Sequence, residues 1–191
     1  MILPVVLYGD PVLRKKSEIV SPDFPHLQEL IISMFETMYG AQGVGIAAPQ
    51  VGIPIRMFVI DAAGMNDRPE NIEDLTKFKR VFINPIIQSE EGEKWSFEEG
   101  CLSIPGIRED VIRHPQIKIT YQNEKFETFE ESFIGLKARI IQHEYDHIEG
   151  VLFTDHILPI RKQLNKTKMN RIQNGEMETD YPVRVYSKRK R

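Results

Sequence analysis

One cysteine in 191 residues excludes an internal disulfide framework, so the chain must be held together by a packed core. Tryptophan is equally scarce, with Trp95 standing alone. No apolar run approaches the length of a membrane span. The opening stretch from Met1 to Val6 lacks a basic start and a small-residue cleavage site, so no signal peptide is read and a cytoplasmic protein is expected. A free thiol suits that reducing compartment. No segment repeats. What is present is ordinary for one globular domain: 41% hydrophobic and 28% charged residues, in a length that buries a single core. One domain over residues 1–180 is expected, followed by a basic C-terminal tail over 181–191. The net charge of −3 hides an asymmetry, because residues 159–191 carry +7 and the rest of the chain −10. An acidic body with a basic end suggests an anionic partner; the plainer reading is a solvated charge run.

Histidine is sparse too, with five in all, yet two of them share the stretch Gln142-His143-Glu144-Tyr145-Asp146-His147. Residues four apart lie one above the other on a helix. His143 and His147 could therefore offer two imidazoles to one metal ion, with Glu144 a step round the helix, in reach of a water on that metal. This His-Glu-x-x-His spacing is a zinc-hydrolase signature; the bland alternative is a surface helix that happens to hold two histidines. Phe133, Leu136, Ile140 and Ile141 continue the helical stripe upstream. Ser132 reads as its N-cap and Gly150 as its stop.

A catalytic metal site needs a third protein ligand and an open position. One common arrangement places a third histidine six residues after the second, past a glycine. Here Gly150 is present, but Phe153 stands where that histidine would be. His26, His114 and His156 have no ligand context. Cys101, in Glu98-Glu99-Gly100-Cys101-Leu102-Ser103-Ile104-Pro105, reads either as a small buried hydrophobe or as a thiolate ligand.

Elsewhere, Leu27, Leu30, Ile31, Met34, Phe35 and Met38 give a helix whose methionines are best read as core. Residues 43–52 are a glycine-rich loop, followed by a strand over 55–60. Residues 61–80 read as a polar insertion with a helical turn near 71–77. Strands are expected over 81–88, kinked at Pro85, and over 94–98, 108–113, 117–121 and 125–130, the last two a hairpin through Gln122-Asn123-Glu124. A C-terminal helix is expected over 159–173. The predicted class is α+β, with antiparallel strands packed around a central His-Glu-x-x-His helix.

Three motifs together give a resemblance. Gly43-Val44-Gly45-Ile46-Ala47-Ala48-Pro49-Gln50, Glu99-Gly100-Cys101-Leu102-Ser103-Ile104-Pro105 and Gln142-His143-Glu144-Tyr145-Asp146-His147 resemble the peptide deformylase family, in the family's order and spacing, over roughly residues 10–153. The resemblance implies that Cys101, His143 and His147 bind one divalent metal. Fe(II) would serve in the cell, with Zn(II), Ni(II) or Co(II) possible after purification. It implies Glu144 as the proton carrier, with the Gln50 side-chain amide and the Leu102 N–H as oxyanion donors. The substrate would be an N-formyl-methionyl nascent peptide. Its backbone would lie beside the segments Gly43-Val44-Gly45-Ile46 and Gly100-Cys101-Leu102, and its methionine near Ile46, Leu102, Ile140 and the stem of Arg139. The ribosome is an expected partner through the basic C-terminal segment; membrane and DNA are not. Asp146 and Gln142 would orient a histidine or the cysteine segment. The rival readings are another His-Glu-x-x-His metallopeptidase or amidase, and a structural zinc module, which would need a fourth protein ligand.

Overall fold

The computed structural model describes residues 1–186. In chain order its elements are strand β1 (Val5–Val6), helix α1 (Leu27–Gly40), strands β2 (Gly45–Ala47), β3 (Met57–Asp61), β4 (Lys79–Glu91), β5 (Trp95–Cys101), β6 (Ile104–Arg113), β7 (Gln116–Gln122) and β8 (Thr128–Ile134), helices α2 (Gly135–Ile148), α3 (Phe153–His156) and α4 (Pro159–Gln173), and strand β9 (Val183–Arg184). Five strands form one antiparallel sheet in the order β2-β3-β4-β7-β8, β5 and β6 make a separate antiparallel ribbon, and β1 pairs with β9 in parallel.

Strand periodicity explains the sheet. Ile117, Ile119 and Tyr121 of β7 alternate inward and join Phe58, Phe82 and Phe133 in one core with the apolar face of α2, namely Leu136, Ala138, Ile140, Ile141 and Ile148. Burying an aliphatic side chain of this size contributes roughly 1.5–3 kcal/mol, so this stripe fixes which face of α2 looks at the sheet. Helix α1 packs on the other side through Leu27, Ile31, Met34 and Met38, and both methionines are fully buried, as the core reading expects. A third core joins the β5–β6 ribbon to α3, α4 and the N-terminal segment.

The expected kink at Pro85 is present. Asn84 adopts φ 50°, the β4–β7 register shifts between Ile83 and Ile86, and the Asn84 side chain pairs with both the N–H and the C=O of Val20.

Several sequence expectations require correction. Helix α2 starts at Gly135, not after a Ser132 cap. Phe133 is buried from strand β8, and Gly135 at φ +55° makes the corner between strand and helix. The strand expected over 125–130 lies at Thr128–Ile134, because the Asn123 carboxamide accepts from the N–H groups of Lys125 and Glu127 and lengthens the turn. No helical turn forms over 71–77; side chains of Asn66 and Asn71 stitch that loop instead, with a short 3-10 turn at Ala63–Met65. The tail expected from 181 onward is part of the fold as far as it is described, since β9 pairs with β1; the expectation for residues 187–191 lies outside the described residues. The α2 stop is as expected. Val151 N–H bonds to Asp146 C=O and Gly150 N–H to His147 C=O, with Gly150 at φ +77°. A Cβ on Gly150 would lie 2.7 Å from the Arg14 carbonyl oxygen. No helix among the described residues is long and apolar enough to cross a membrane.

Candidate active site

Helix α2 carries His143 and His147, and the C-terminal end of β5 brings Cys101 against them. One donor atom from each of the three lies within 4.8 Å of the others. The His147 Nε2 is 3.2 Å from the Cys101 Sγ. His143 uses Nδ1 to reach a Glu99 carboxylate oxygen at 2.8 Å, which leaves Nε2 as the ring nitrogen on the Cys101 side. One thiolate and two imidazole nitrogens form a donor set suited to zinc or ferrous iron. The residues present therefore fit a divalent ion. Among the described residues this cluster has no fourth cysteine, histidine or carboxylate, as an open position requires and a closed structural zinc site does not allow. Phe153, at the position another metallohydrolase class would fill with histidine, stacks on His143 with ring centroids 6.2 Å apart.

The electrostatics favour a thiolate. Burial alone would push the Cys101 thiol up, but the His147 and His143 imidazoles beside it draw it down to about 5. Burial would lower His143, yet its hydrogen bonds to Cys101 and Glu99 hold it well above the usual imidazole range. Glu144 goes the other way: burial pushes its carboxyl up to about 7 against the pull of the two histidines. Its residue is 4% exposed, and Oε2 has no hydrogen-bond partner among the described residues.

Gly45 explains how that carboxylate fits. A Cβ at Gly45 would come within 2.5 Å of Glu144 Oε1, so only glycine lets β2 pass this close. Beyond it, the short 3-10 turn at Ala48–Val51 presents Gln50, whose Oε1 accepts from the Ala47 N–H at 2.8 Å. That bond turns the amide Nε2 toward Cys101 Sγ at 3.4 Å and Ser103 Oγ at 3.3 Å.

A cleft of about 1020 Å³ opens over these groups. Gly43, Val44, Gly45, Gln50, Gly100, Leu102, Arg139, Ile140, His143 and Glu144 line it. Ile46 does not. Its side chain is fully buried in the core beneath α1, because alternation along β2 turns Gly45 toward Glu144 and Ile46 away. Arg139 is largely hidden, and its guanidinium donates to Glu99, to the Val111 and Trp95 carbonyls, and lies 4.6 Å from the Trp95 ring.

Sequence reasoning missed the buried charge network behind His143. Glu99 accepts from Arg113, Arg139 and His143, and Arg113 also donates to Asp146, which pairs with His156. Burial would raise the Glu99 carboxyl, but its His143 and Arg113 partners hold it well below the carboxylate range. Asp146, expected to orient a histidine, thus acts on His143 only through Arg113 and Glu99. Gln142 donates to the His114 and Ala138 carbonyls and touches neither metal-site histidine. The available signal was parity: Glu99 lies two residues before Cys101, on the same side of a strand.

The family model for polypeptide deformylase matches residues 2–163. The chain is 52% identical over its full length to 99% of a peptide deformylase from Christiangramia forsetii. It is 54% identical, with the same coverage, to one from Flavobacterium johnsoniae. Among solved structures, the crystal structure of a peptide deformylase from Legionella pneumophila aligns with TM-score 0.79 and 36% identity, covering 92% of this chain and 98% of the other. That from Thermotoga maritima aligns with TM-score 0.73 and 42% identity, covering 83% and 99%.

Proposed function

The chain belongs to the polypeptide deformylase family, and on that premise we propose that Glu144, beside a metal held by Cys101, His143 and His147, carries the proton in deformylation. The enzyme is a metal-dependent hydrolase that removes the N-formyl group from the formyl-methionine of newly made polypeptides and releases formate. When bound, a divalent cation supplies positive charge that acidifies water and polarises a carbonyl. Glu144 takes a proton from the attacking water as its oxygen bonds to the formyl carbon. The Leu102 N–H and the Gln50 amide donate to the oxyanion. Glu144 then gives the proton to the departing nitrogen, the C–N bond breaks, and formate and a free N-terminus result.

The observation that carries this reading is the Glu144 carboxylate itself: buried at the cleft beside a three-donor cluster, with one oxygen that no described residue engages. The peptide backbone pairs with the free edge of β2, which has a neighbour on one side only, and runs past Gly100. Leu102, Ile140 and the Arg139 stem receive the methionine side chain; Ile46 supports the strand from the core. The strands are arranged about α2 as the bearer of the metal site. The cellular metal is Fe(II), the reaction takes place in the cytoplasm, and the enzyme meets nascent chains at the ribosome through the basic C-terminal segment, α4 included.

The test is Glu144→Ala, purified without oxygen, with metal counted by elemental analysis and formate measured from formyl-Met-Ala-Ser. One metal per chain with a loss of at least about 100-fold in turnover is expected. Full metal with near-normal turnover would refute the role of Glu144. Iron absent from active wild-type protein would refute the choice of metal. Cleavage of an internal peptide bond at a comparable rate would favour a metallopeptidase.

A further inference from the structure

The segment between α4 and β9 lies beyond residues 2–163, the part that the family model matches. It nevertheless reaches the cleft. Thr179, Asp180 and Tyr181 all line it. The Tyr181 hydroxyl donates to the carbonyl oxygen of Leu102 at 2.8 Å, and its ring packs on the same core as the Leu102 side chain.

Tyr181 is itself held on both sides. Before it, the Thr179 hydroxyl donates to the Tyr181 carbonyl at 2.8 Å. After it, Val5 N–H bonds to the Pro182 carbonyl and Leu7 N–H to the Arg184 carbonyl, each at 2.9 Å. The Arg184 guanidinium lies against Gly52, where a Cβ would meet it at 2.5 Å. A phenol anchored this way is a fixed post rather than a passing contact.

That post acts on the loop that supplies an oxyanion donor. Cys101 is paired with Ile104 across the ribbon, and Ser103 C=O accepts from Tyr8 N–H at 2.8 Å. The Leu102 carbonyl between them is the peptide group that Tyr181 holds. Its plane shares the Leu102 Cα with the plane that carries the Leu102 N–H. Pinning one limits the swing of the other, and an oxyanion donor works only when already aimed at the developing charge.

We propose that Tyr181 is a positioning residue for deformylation: its hydroxyl, through the Leu102 carbonyl, keeps the Leu102 N–H aimed at the oxyanion. This rests on the reading of Leu102 and Gln50 as oxyanion donors. Removing such a donor outright costs about 100- to 1000-fold in kcat, and loosening one costs part of that.

The experiment compares full-length wild type, Tyr181→Phe and Gln50→Ala, each with measured metal content, on formyl-Met-Ala-Ser at least about 10 °C below the lowest melting temperature. Phenylalanine keeps the ring packing and removes only the hydroxyl. Tyr181→Phe is expected to lower kcat about 5- to 30-fold with KM within about twofold of wild type and metal content unchanged. Unchanged kcat, or a raised KM with unchanged kcat, overturns the positioning role. If Gln50→Ala retains wild-type kcat, the oxyanion reading itself fails. If Gln50→Ala is slow while Tyr181→Phe is not, only the role of Tyr181 falls.

Discussion

Replacing Glu99 by glutamine tests whether the charge network behind His143 holds the metal site in shape. The Glu99 side chain is 4% exposed and accepts four charge-assisted hydrogen bonds. Oε1 takes Arg113 Nε at 2.7 Å and Arg139 Nη1 at 3.0 Å, while Oε2 takes Arg113 Nη2 at 3.0 Å and His143 Nδ1 at 2.8 Å. Glutamine keeps the volume, but either orientation of its amide turns an NH2 toward two of these donors. If nitrogen replaces Oε2, His143 loses the acceptor that fixes its tautomer and Arg113 Nη2 loses its own; if it replaces Oε1, Arg139 Nη1 and Arg113 Nε lose theirs, and Arg113 keeps only its bond to Oε2. Breaking a buried ion pair from one side costs about 3–5 kcal/mol. For a chain of this size that lowers the melting temperature by roughly 6–20 °C, at about 2–4 °C per kcal/mol. Losing the partner of a metal-binding histidine also weakens metal binding about 10- to 100-fold. Thermal melts with and without Zn(II), and competition for Zn(II) against a chromophoric chelator, read the two effects separately. Glu98→Gln is the control, because Glu98 is 62% exposed and meets Arg108 only at 3.7 Å; its effect should stay below about 1 kcal/mol. If Glu99→Gln melts within about 2 °C of wild type and binds Zn(II) as tightly, the network does not hold the site and the reasoning is wrong.

Two further outcomes follow from the same geometry. Gly45→Ala should lower kcat at least about tenfold, because the new methyl would lie 2.5–2.9 Å from Oε1, Cδ and Cγ of the buried Glu144 side chain and displace it; unchanged formate release would show that Glu144 need not stay where Gly45 lets it sit. Reversing Lys162, Lys166 and Lys168 to glutamate, each exposed on α4, should weaken co-sedimentation with ribosomes in a salt-dependent way and spare hydrolysis of a short peptide; equal sedimentation at low salt would remove α4 as the contact.

Local patterns were legible in the sequence and long-range ones were not. Helical spacing places His143 and His147 on one face, and the Leu27–Met38 stripe reads as core, because both depend on neighbours within a few turns. The start of α2 was misread because Phe133 fits two periods at once: it extends the stripe of Leu136 and Ile140, and it also faces inward at the end of β8. Ile46 was misplaced because its motif gives identity and not direction; one step along β2 exchanges the cleft for the core. Arg113 joins Glu99 only through the antiparallel pairing of β5 with β6, where Trp95 faces Arg113 and Glu99 faces Glu109. No local signal marks β9, since a strand of two residues exists only because the edge of β1 is there to pair with it.

The two kinds of information divide the site. The imidazoles are set by a rigid helix and by Glu99 behind one of them, so substitutions there should act on metal affinity. The sulfur and the Leu102 peptide sit on a strand end held by Tyr8, Gln50 and Tyr181, three residues from widely separated parts of the chain. Loosening the Leu102 peptide alone leaves Cys101 paired with Ile104 and all three candidate metal donors in place, and should therefore spare metal content and reduce turnover. Glu99→Gln and Tyr181→Phe are opposite probes of this division. The first should release metal before it slows the loaded enzyme, and the second should slow an enzyme that keeps its metal. If both variants lost metal in parallel, helix and loop would behave as one mechanical unit, and the separate anchoring of the Leu102 carbonyl would have no catalytic meaning.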